Sequence, residues 1–235
     1  IRIFAPGILH AEIKLPASKS ISNRALVIQA LSGGTGPIDN VSDCDDSRVV
    51  QDALRRMPQV IDIKAAGTAM RFMTSFLATV SGEHIITGTE RMRNRPIAVL
   101  VDALRSLGAD ICYEEKDGYP PLRIRGRELA GGRISLPGNV SSQYISSLLM
   151  VAPTLRQGLV LELTGEVISR PYIDMTLAIM RQFGAKVQWN GDREIRVESV
   201  PYSPIPYYIE SDWSAASYWY EMVALSGDDE AEVVL

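Results

Sequence analysis

Seven residues, Ser18-Lys19-Ser20-Ile21-Ser22-Asn23-Arg24, gather two cations, three hydroxyls and an amide. A strand-like Glu12-Ile13-Lys14-Leu15-Pro16 precedes them and an apolar run, Ala25-Leu26-Val27-Ile28, follows. The pattern reads as a strand-to-helix junction. There the unpaired N–H groups of the first helical turn and the helix dipole favour an anion. Lys supplies a point charge and Arg a bidentate fork, both suited to phosphate or carboxylate. An ordinary Ser cap with solvated basic neighbours would give the same local pattern.

The junction recurs. Ile61-Asp62-Ile63-Lys64 leads into Ala66-Gly67-Thr68-Ala69-Met70-Arg71, and Arg133-Ile134-Ser135-Leu136-Pro137 leads into Val140-Ser141-Ser142-Gln143-Tyr144. Tyr207-Tyr208-Ile209-Glu210 leads into Ser211-Asp212-Trp213-Ser214-Ala215. A second element repeats 75 residues apart: Arg95-Pro96-Ile97 and Arg170-Pro171-Tyr172 each open a helix that ends at a Gly, Gly108 or Gly184. Pro in the first turn and Gly past the last are the expected helix punctuation. A hairpin follows each, turning through Asp117-Gly118 and Asn190-Gly191. Asp45 to Met57 reads as a shortened first copy. The chain is therefore expected to be α/β (α+β): three βαβαββ units plus the start of a fourth. If the units pack around a common axis, their helix N-termini converge on one anion site.

Composition narrows the function. The 235 residues carry a net charge of −4, with 46% hydrophobic and 22% charged residues. That balance argues against general nucleic-acid or membrane-surface binding and favours a small anionic ligand met by local basic residues. No run has the length of a membrane span. Ile1 to Gly7 reads as a strand and turn rather than a signal peptide. Cys44 and Cys112 are too few for a disulfide framework or a zinc site, so no metal is expected. Both read as free thiols of a reducing compartment, which places the protein in the cytoplasm. His10 and His84 are isolated and read as structural. Ser32-Gly33-Gly34-Thr35-Gly36-Pro37 lacks the Gly-Lys-Ser/Thr ending of a phosphate loop and reads as a turn. The fourth unit stops at Leu235, so the sequence reads as a piece of a longer protein. Its aromatic cluster of Trp213, Tyr218, Trp219 and Tyr220 is expected to form an exposed apolar patch that promotes self-association.

Across the whole chain these motifs resemble the 5-enolpyruvylshikimate-3-phosphate synthase family. The matching pieces run from Leu15 to Leu26, Ala66 to Arg71, Arg91 to Ile97, Tyr119 to Leu122, Val140 to Tyr144 and Ser169 to Asp174. The resemblance implies a two-lobed inside-out α/β barrel, each lobe built of three βαβαββ units. Residues 18–212 would be the substrate-binding lobe, with 1–17 and 213–235 belonging to the second lobe. It implies transfer of the enolpyruvyl group of phosphoenolpyruvate to the 5-hydroxyl of shikimate 3-phosphate, with no metal or organic cofactor. The whole protein would act as a monomer on these two anions, with no nucleic-acid or membrane partner.

The resemblance also implies roles. Lys19 would touch both ligands and serve catalysis. Ser20, Arg24, Ser141, Ser142, Gln143, Ser169 and Tyr172 would hold shikimate 3-phosphate, although Tyr172 also suits plain packing. Gly67, Arg95 and Gln143 would hold phosphoenolpyruvate. Arg71 reads as an ion-pair partner within its helix, and Arg170 as a surface residue of a helix start. Ala65 stands where relatives often carry an Asn that hydrogen-bonds phosphoenolpyruvate. The acidic general base and further basic ligands of the family belong to the second lobe, so this chain alone is expected to be inactive yet to bind shikimate 3-phosphate weakly. Two other readings are a transferase acting on UDP-N-acetylglucosamine and a non-catalytic anion-binding module.

Overall fold

A computed structural model describes residues 8–34 and 36–235. The strand and turn expected over 1–7, and Thr35 of the glycine-rich turn, lie outside the described residues. The chain opens with β1 (His10–Glu12), α1 (Lys19–Leu31), β2 (Ile38–Asp39) and α2 (Asp45–Arg56). Next come β3 (Val60–Asp62), α3 (Gly67–Thr79), β4 (Gly82–Thr87), the single turn α4 (Glu90–Arg93), α5 (Ala98–Ser106), β5 (Asp110–Tyr113) and β6 (Leu122–Gly126). The following repeat holds β7 (Gly132–Pro137), α6 (Ser142–Val151), β8 (Leu159–Thr164), α7 (Arg170–Gln182), β9 (Val187–Asn190) and β10 (Glu194–Val197). The chain closes with β11 (Tyr207–Tyr208), α8 (Trp213–Leu225) and β12 (Glu232–Val234).

Two repeats share one topology. Their four-stranded sheets run β3-β4-β6-β5 and β7-β8-β10-β9. In each, the first two strands are parallel across a crossover helix and the rest are antiparallel. Strand alternation sets inside from outside. On β6, Leu122 and Ile124 are buried while Arg123 and Arg125 face out to Glu83 and Glu114. On β10, Ile195 and Val197 are buried, and Glu194 and Arg196 point the other way.

The first repeat is assembled differently from the expectation. The strand-like stretch through Pro16 is a strand only over β1, and Pro16 has no N–H to extend a ladder. The strand parallel to β2 is β11, which arrives from far along the chain. Tyr207-Tyr208 thus completes the first unit rather than opening a fourth. The partner of β12 is β1, in a separate two-stranded parallel sheet. The chain crosses between the two at Ala17 and Ser211, where Ser18 N–H donates to the Glu210 carbonyl (2.9 Å) and Asp212 N–H to that of Pro16 (2.8 Å).

Helices fill the centre. α3 is buried from Gly67 through Ala78, and α6 is buried except at Gln143. The two pack against each other, with α1, α5 and α7 around them. Phe72, Met73, Phe76 and Leu77 cover one broad side of α3, and the small residues Thr74, Ser75 and Ala78 occupy the other, so both sides are buried. Its hydroxyls are satisfied within the helix and against α6: Thr74 Oγ1 donates to the Met70 carbonyl (2.7 Å), Ser147 Oγ to that of Arg71 (2.7 Å), and Ser75 and Ser147 share a hydrogen bond. His84 is buried with Nδ1 2.8 Å from the Pro58 carbonyl, a structural contact. The far end is different. α8 buries only Ala216, and Trp213, Tyr218, Tyr220, Met222 and Leu225 are exposed.

The outer faces of the sheets carry charge networks. Arg196, Asn190 and Arg133 hydrogen-bond the Glu194 carboxylate and hold its pKa down at about 2. A depressed carboxylate pKa stabilises the fold above the ordinary carboxylate range and loses that contribution as pH falls toward 2. Carbon-detected NMR should find Glu194 titrating near pH 2, and at a higher pH in Arg196→Ala, with Asn190 and Arg133 still holding it below its ordinary value. An unchanged midpoint in that variant would contradict the assignment.

Candidate functional site

Five helix starts meet at one cavity. Its volume is about 370 Å³, and its walls include Lys19 and Ser20 of α1, Thr68 of α3, Ser141 to Gln143 at α6, Tyr172 of α7 and Asp212 and Ser214 at α8. The caps explain why helices begin there. Ser18 Oγ accepts from Ile21 N–H (3.4 Å), Ser141 Oγ from Gln143 N–H (3.3 Å) and an Asp212 carboxylate oxygen from Ser214 N–H (2.9 Å). Ser141 and Ser142 thus sit at a helix N-terminus that points at the cavity, with Ser141 acting as the cap.

Arg24 forms the floor. It is 2% exposed, and no carboxylate is paired with it among the described residues. Its Nε donates to Thr176 Oγ1 (2.7 Å), Nη1 to the Ser20 carbonyl (2.8 Å), and Nη2 to Ser146 Oγ (3.3 Å) and the Tyr172 carbonyl (3.5 Å). Its carbon stands 5.4 Å from the Phe72 ring centroid. One guanidinium therefore ties α1, α3, α6 and α7 together. Burial pushes its pKa down to about 10, so it stays charged at neutral pH. Most of its donors are spent inside the protein, which makes Arg24 a structural member of the site before any ligand arrives.

Lys19 lies at the rim, 3.8 Å from Asp46 and half exposed. Asn23, one turn on, is fully buried with neither amide atom partnered among the described residues. From the opposite wall, Gln143 Nε2 donates to Thr68 Oγ1 (3.2 Å). This bond joins the cavity to a second corner, around Gly67. A Cβ on Gly67 would collide with the Arg95 guanidinium and lie 2.8 Å from Arg71 Nη1. Any side chain there would displace the guanidinium ends of these two arginines. Burial and the neighbouring Arg71 charge push the Arg95 pKa down.

Of the residues singled out in the sequence, Lys19, Ser20, Arg24, Ser141, Ser142, Gln143 and Tyr172 share the cavity. Gly67 and Arg95 form the adjoining corner. Ser169 does not line the cavity. It is the residue before α7, in a left-handed conformation (φ 56°), with no side-chain cap bond. Arg170 is a surface residue that stacks on Trp189 (4.4 Å) and sits near Asp174 and Asp192. The reading of Arg71 as an ion-pair partner is corrected: no acidic group pairs with it among the described residues, and Nη1 donates to the Gly67 carbonyl (2.8 Å). Sequence held the signal, because the positions three and four residues to either side are Thr68, Thr74, Gly67 and Ser75, none acidic. Sequence reasoning also passed over Thr68, Asn23, Asp212 and Ser214. The first two lie inside the motifs already quoted, and the last two cap a helix whose convergence on the others only the fold reveals.

Fold and site together define a repeated α/β lobe with helix starts gathered around one polar cavity. The sequence model of the family described as EPSP synthase (3-phosphoshikimate 1-carboxyvinyltransferase) matches residues 4–61 and 56–233, and the chain belongs to that family. It is 58% identical over 229 residues to the 3-phosphoshikimate 1-carboxyvinyltransferase of Bacteroides fragilis, covering 97% of this chain and 56% of the relative. It is 41% identical over 250 residues to the protein of that name from Haemophilus influenzae, covering 93% and 58%. An EPSP synthase structure from Acinetobacter baumannii superposes with a TM-score of 0.81 at 22% identity, covering 94% of this chain and 54% of that one. That last likeness concerns the fold. The chain spans little more than half the length of these relatives.

Removing the Arg24 guanidinium strips α1, α6 and α7 of their shared donor and leaves a void beside Phe72. Arg24→Met is expected to lower unfolding free energy by about 2–4 kcal/mol. Urea denaturation followed by circular dichroism checks this, and an unchanged midpoint would contradict the structural role.

Proposed function

We propose that this chain is the shikimate 3-phosphate-binding lobe of an enzyme that transfers the enolpyruvyl group of phosphoenolpyruvate to that substrate's 5-hydroxyl. The observation that carries the reading is the convergence of five helix starts, with Lys19 and Arg24 among them, on one cavity. Family membership supports the substrate pair. In this reading residues 18–212 form the binding lobe, and 1–17 with 213–235 belong to a second lobe. The pairing of β1 with β12 and the exposed α8 face support that division. The protein is read as cytoplasmic and, as a whole, monomeric. Among the described residues no helix is long and apolar enough to cross a membrane.

The proposed chemistry adds the 5-hydroxyl oxygen to C2 of phosphoenolpyruvate while a proton reaches C3. Elimination of phosphate with loss of a proton from C3 then leaves the enolpyruvyl ether. The demands on the protein are electrostatic: negative groups must be held where charge moves. Ser20, Ser141, Ser142 and Gln143 offer hydroxyl, amide and backbone donors to the shikimate 3-phosphate, with Arg24 beneath and Tyr172 beside the ring. Ser169 is proposed to reach the same phosphate, one turn before Tyr172. Gly67, Arg95 and Gln143 receive phosphoenolpyruvate, and Lys19 stands between the two ligands as the catalytic cation.

Calorimetric titration of the chain with shikimate 3-phosphate, alone and with phosphoenolpyruvate, tests the reading. Binding of shikimate 3-phosphate is expected in both cases, and no detectable binding in either would reject it. Gly67→Ala separates the two ligands. The added methyl displaces Arg95 and Arg71, so phosphoenolpyruvate affinity should fall roughly tenfold while shikimate 3-phosphate affinity changes little. Equal losses for both would count against the assignment of the corner.

A further inference from the structure

A second cavity lies beside the first, where the chain crosses at Ala17 and Ser211. Its volume is about 250 Å³, and it shares Tyr172 and Asp212 with the larger cavity. Its walls differ in kind. Ile21, Pro171 and Met175 supply apolar surface, Tyr172 and Trp213 bring two exposed aromatic side chains, and Glu210 and Asp212 bring two carboxylates. No Lys or Arg lines it among the described residues. Neighbouring cations are engaged elsewhere: Lys19 lies 3.8 Å from Asp46, and Arg24 donates to Thr176 Oγ1 and the Ser20 carbonyl. One Asp212 oxygen accepts from Ser214 N–H (2.9 Å), so its charge offsets the start of α8.

This lining selects a ligand by exclusion. An anion would meet two carboxylates and no basic side chain. A neutral apolar ligand would cover Glu210 and Asp212 without returning charge or a hydrogen bond. A divalent metal ion needs about six oxygen ligands, and most of this wall is carbon. An organic cation suits every wall. Its charge is attracted by the carboxylates and by the aromatic rings, and its hydrocarbon part covers the apolar surface. The volume is small for a ligand site and limits the occupant to about one ring.

We propose that this cleft binds a small organic cation, an ammonium or guanidinium carrying a hydrocarbon group. Trp213 and Tyr172 are its aromatic contacts, and Glu210 and Asp212 are its counter-charges. The cleft thus complements the larger cavity, with opposite charge on either side of Tyr172. The inference does not depend on the substrates assigned to the larger cavity.

The test titrates the whole chain at low ionic strength with benzyltrimethylammonium chloride. It follows the indole N–H resonance of Trp213, assigned from Trp213→Phe. That resonance should shift saturably. Phenylacetate, a similar ring with the opposite charge, should bind about tenfold more weakly or worse. By calorimetry, Trp213→Ala should weaken the cation about fivefold, and Glu210→Gln about threefold. Both side chains are exposed, so neither change opens the core. A Trp213 resonance indifferent to the cation, phenylacetate binding as tightly, or unchanged affinity in folded Trp213→Ala overturns the inference. Should a variant fail to fold, the resonance shift and the selectivity between the two probes in the unmodified protein decide. If the cation binds with this dependence while shikimate 3-phosphate does not bind, the functional reading falls and the inference stands.

Discussion

Everything in this lobe depends on burying one cation without an acid to balance it. Lowering the Arg24 pKa from 12.5 to about 10 corresponds to about 3 kcal/mol set against the charged form. The protein offsets that cost with hydroxyls and carbonyls: Thr176, Ser146, and the backbone of Ser20 and Tyr172. Those acceptors lie in the first two turns of α1, α6 and α7 and must converge to serve one guanidinium. Helices held together near their starts turn their free N–H groups the same way. The same constraint that solves a packing problem thus creates the anion pocket. An Asp or Glu partner for Arg24 would have stabilised the cation more simply, but it would have filled the pocket with negative charge.

The two ends of the pocket differ in charge. The rim near Lys19 includes Asp46 and Asp212, so a ligand there meets both signs. The corner at Gly67 has two guanidiniums and an uncapped helix start. Gln143 joins these regions through Thr68, a neutral link that reaches both without adding charge. In the proposed function this gradient separates the two anionic ligands, the larger and more hydroxylated one at the mixed rim and the smaller one at the cationic corner.

Much of this was legible in the sequence. Small polar clusters between strand and helix marked four of the helix starts, because capping chemistry is local. The hairpins over β5–β6 and β9–β10 were marked by Asp117-Gly118 and Asn190-Gly191 for the same reason. Pairing of β11 with β2 was not legible. It joins two-residue strands far apart in the chain, and nothing in Tyr207-Tyr208 names its partner. The misreading of Arg71 had another cause. A charge near a helix start invites an ion-pair reading, and only the absence of acidic neighbours at helical spacing argued otherwise. The motif around Arg24 implied a ligand, and the fold shows Arg24 lining the cavity as a keystone of four helices. Ser169 was placed in the ligand set by its motif, yet its position before α7 leaves it off the cavity wall.

The central claim is that turns distant in sequence form a single anion pocket. An amide chemical-shift map of the chain during titration with shikimate 3-phosphate tests it most directly. The account predicts that Lys19, Ser20, Thr68, Ser141, Ser142, Gln143 and Tyr172 shift together along one binding isotherm. Shifts confined to one of these turns, or different apparent affinities from turn to turn, would contradict it.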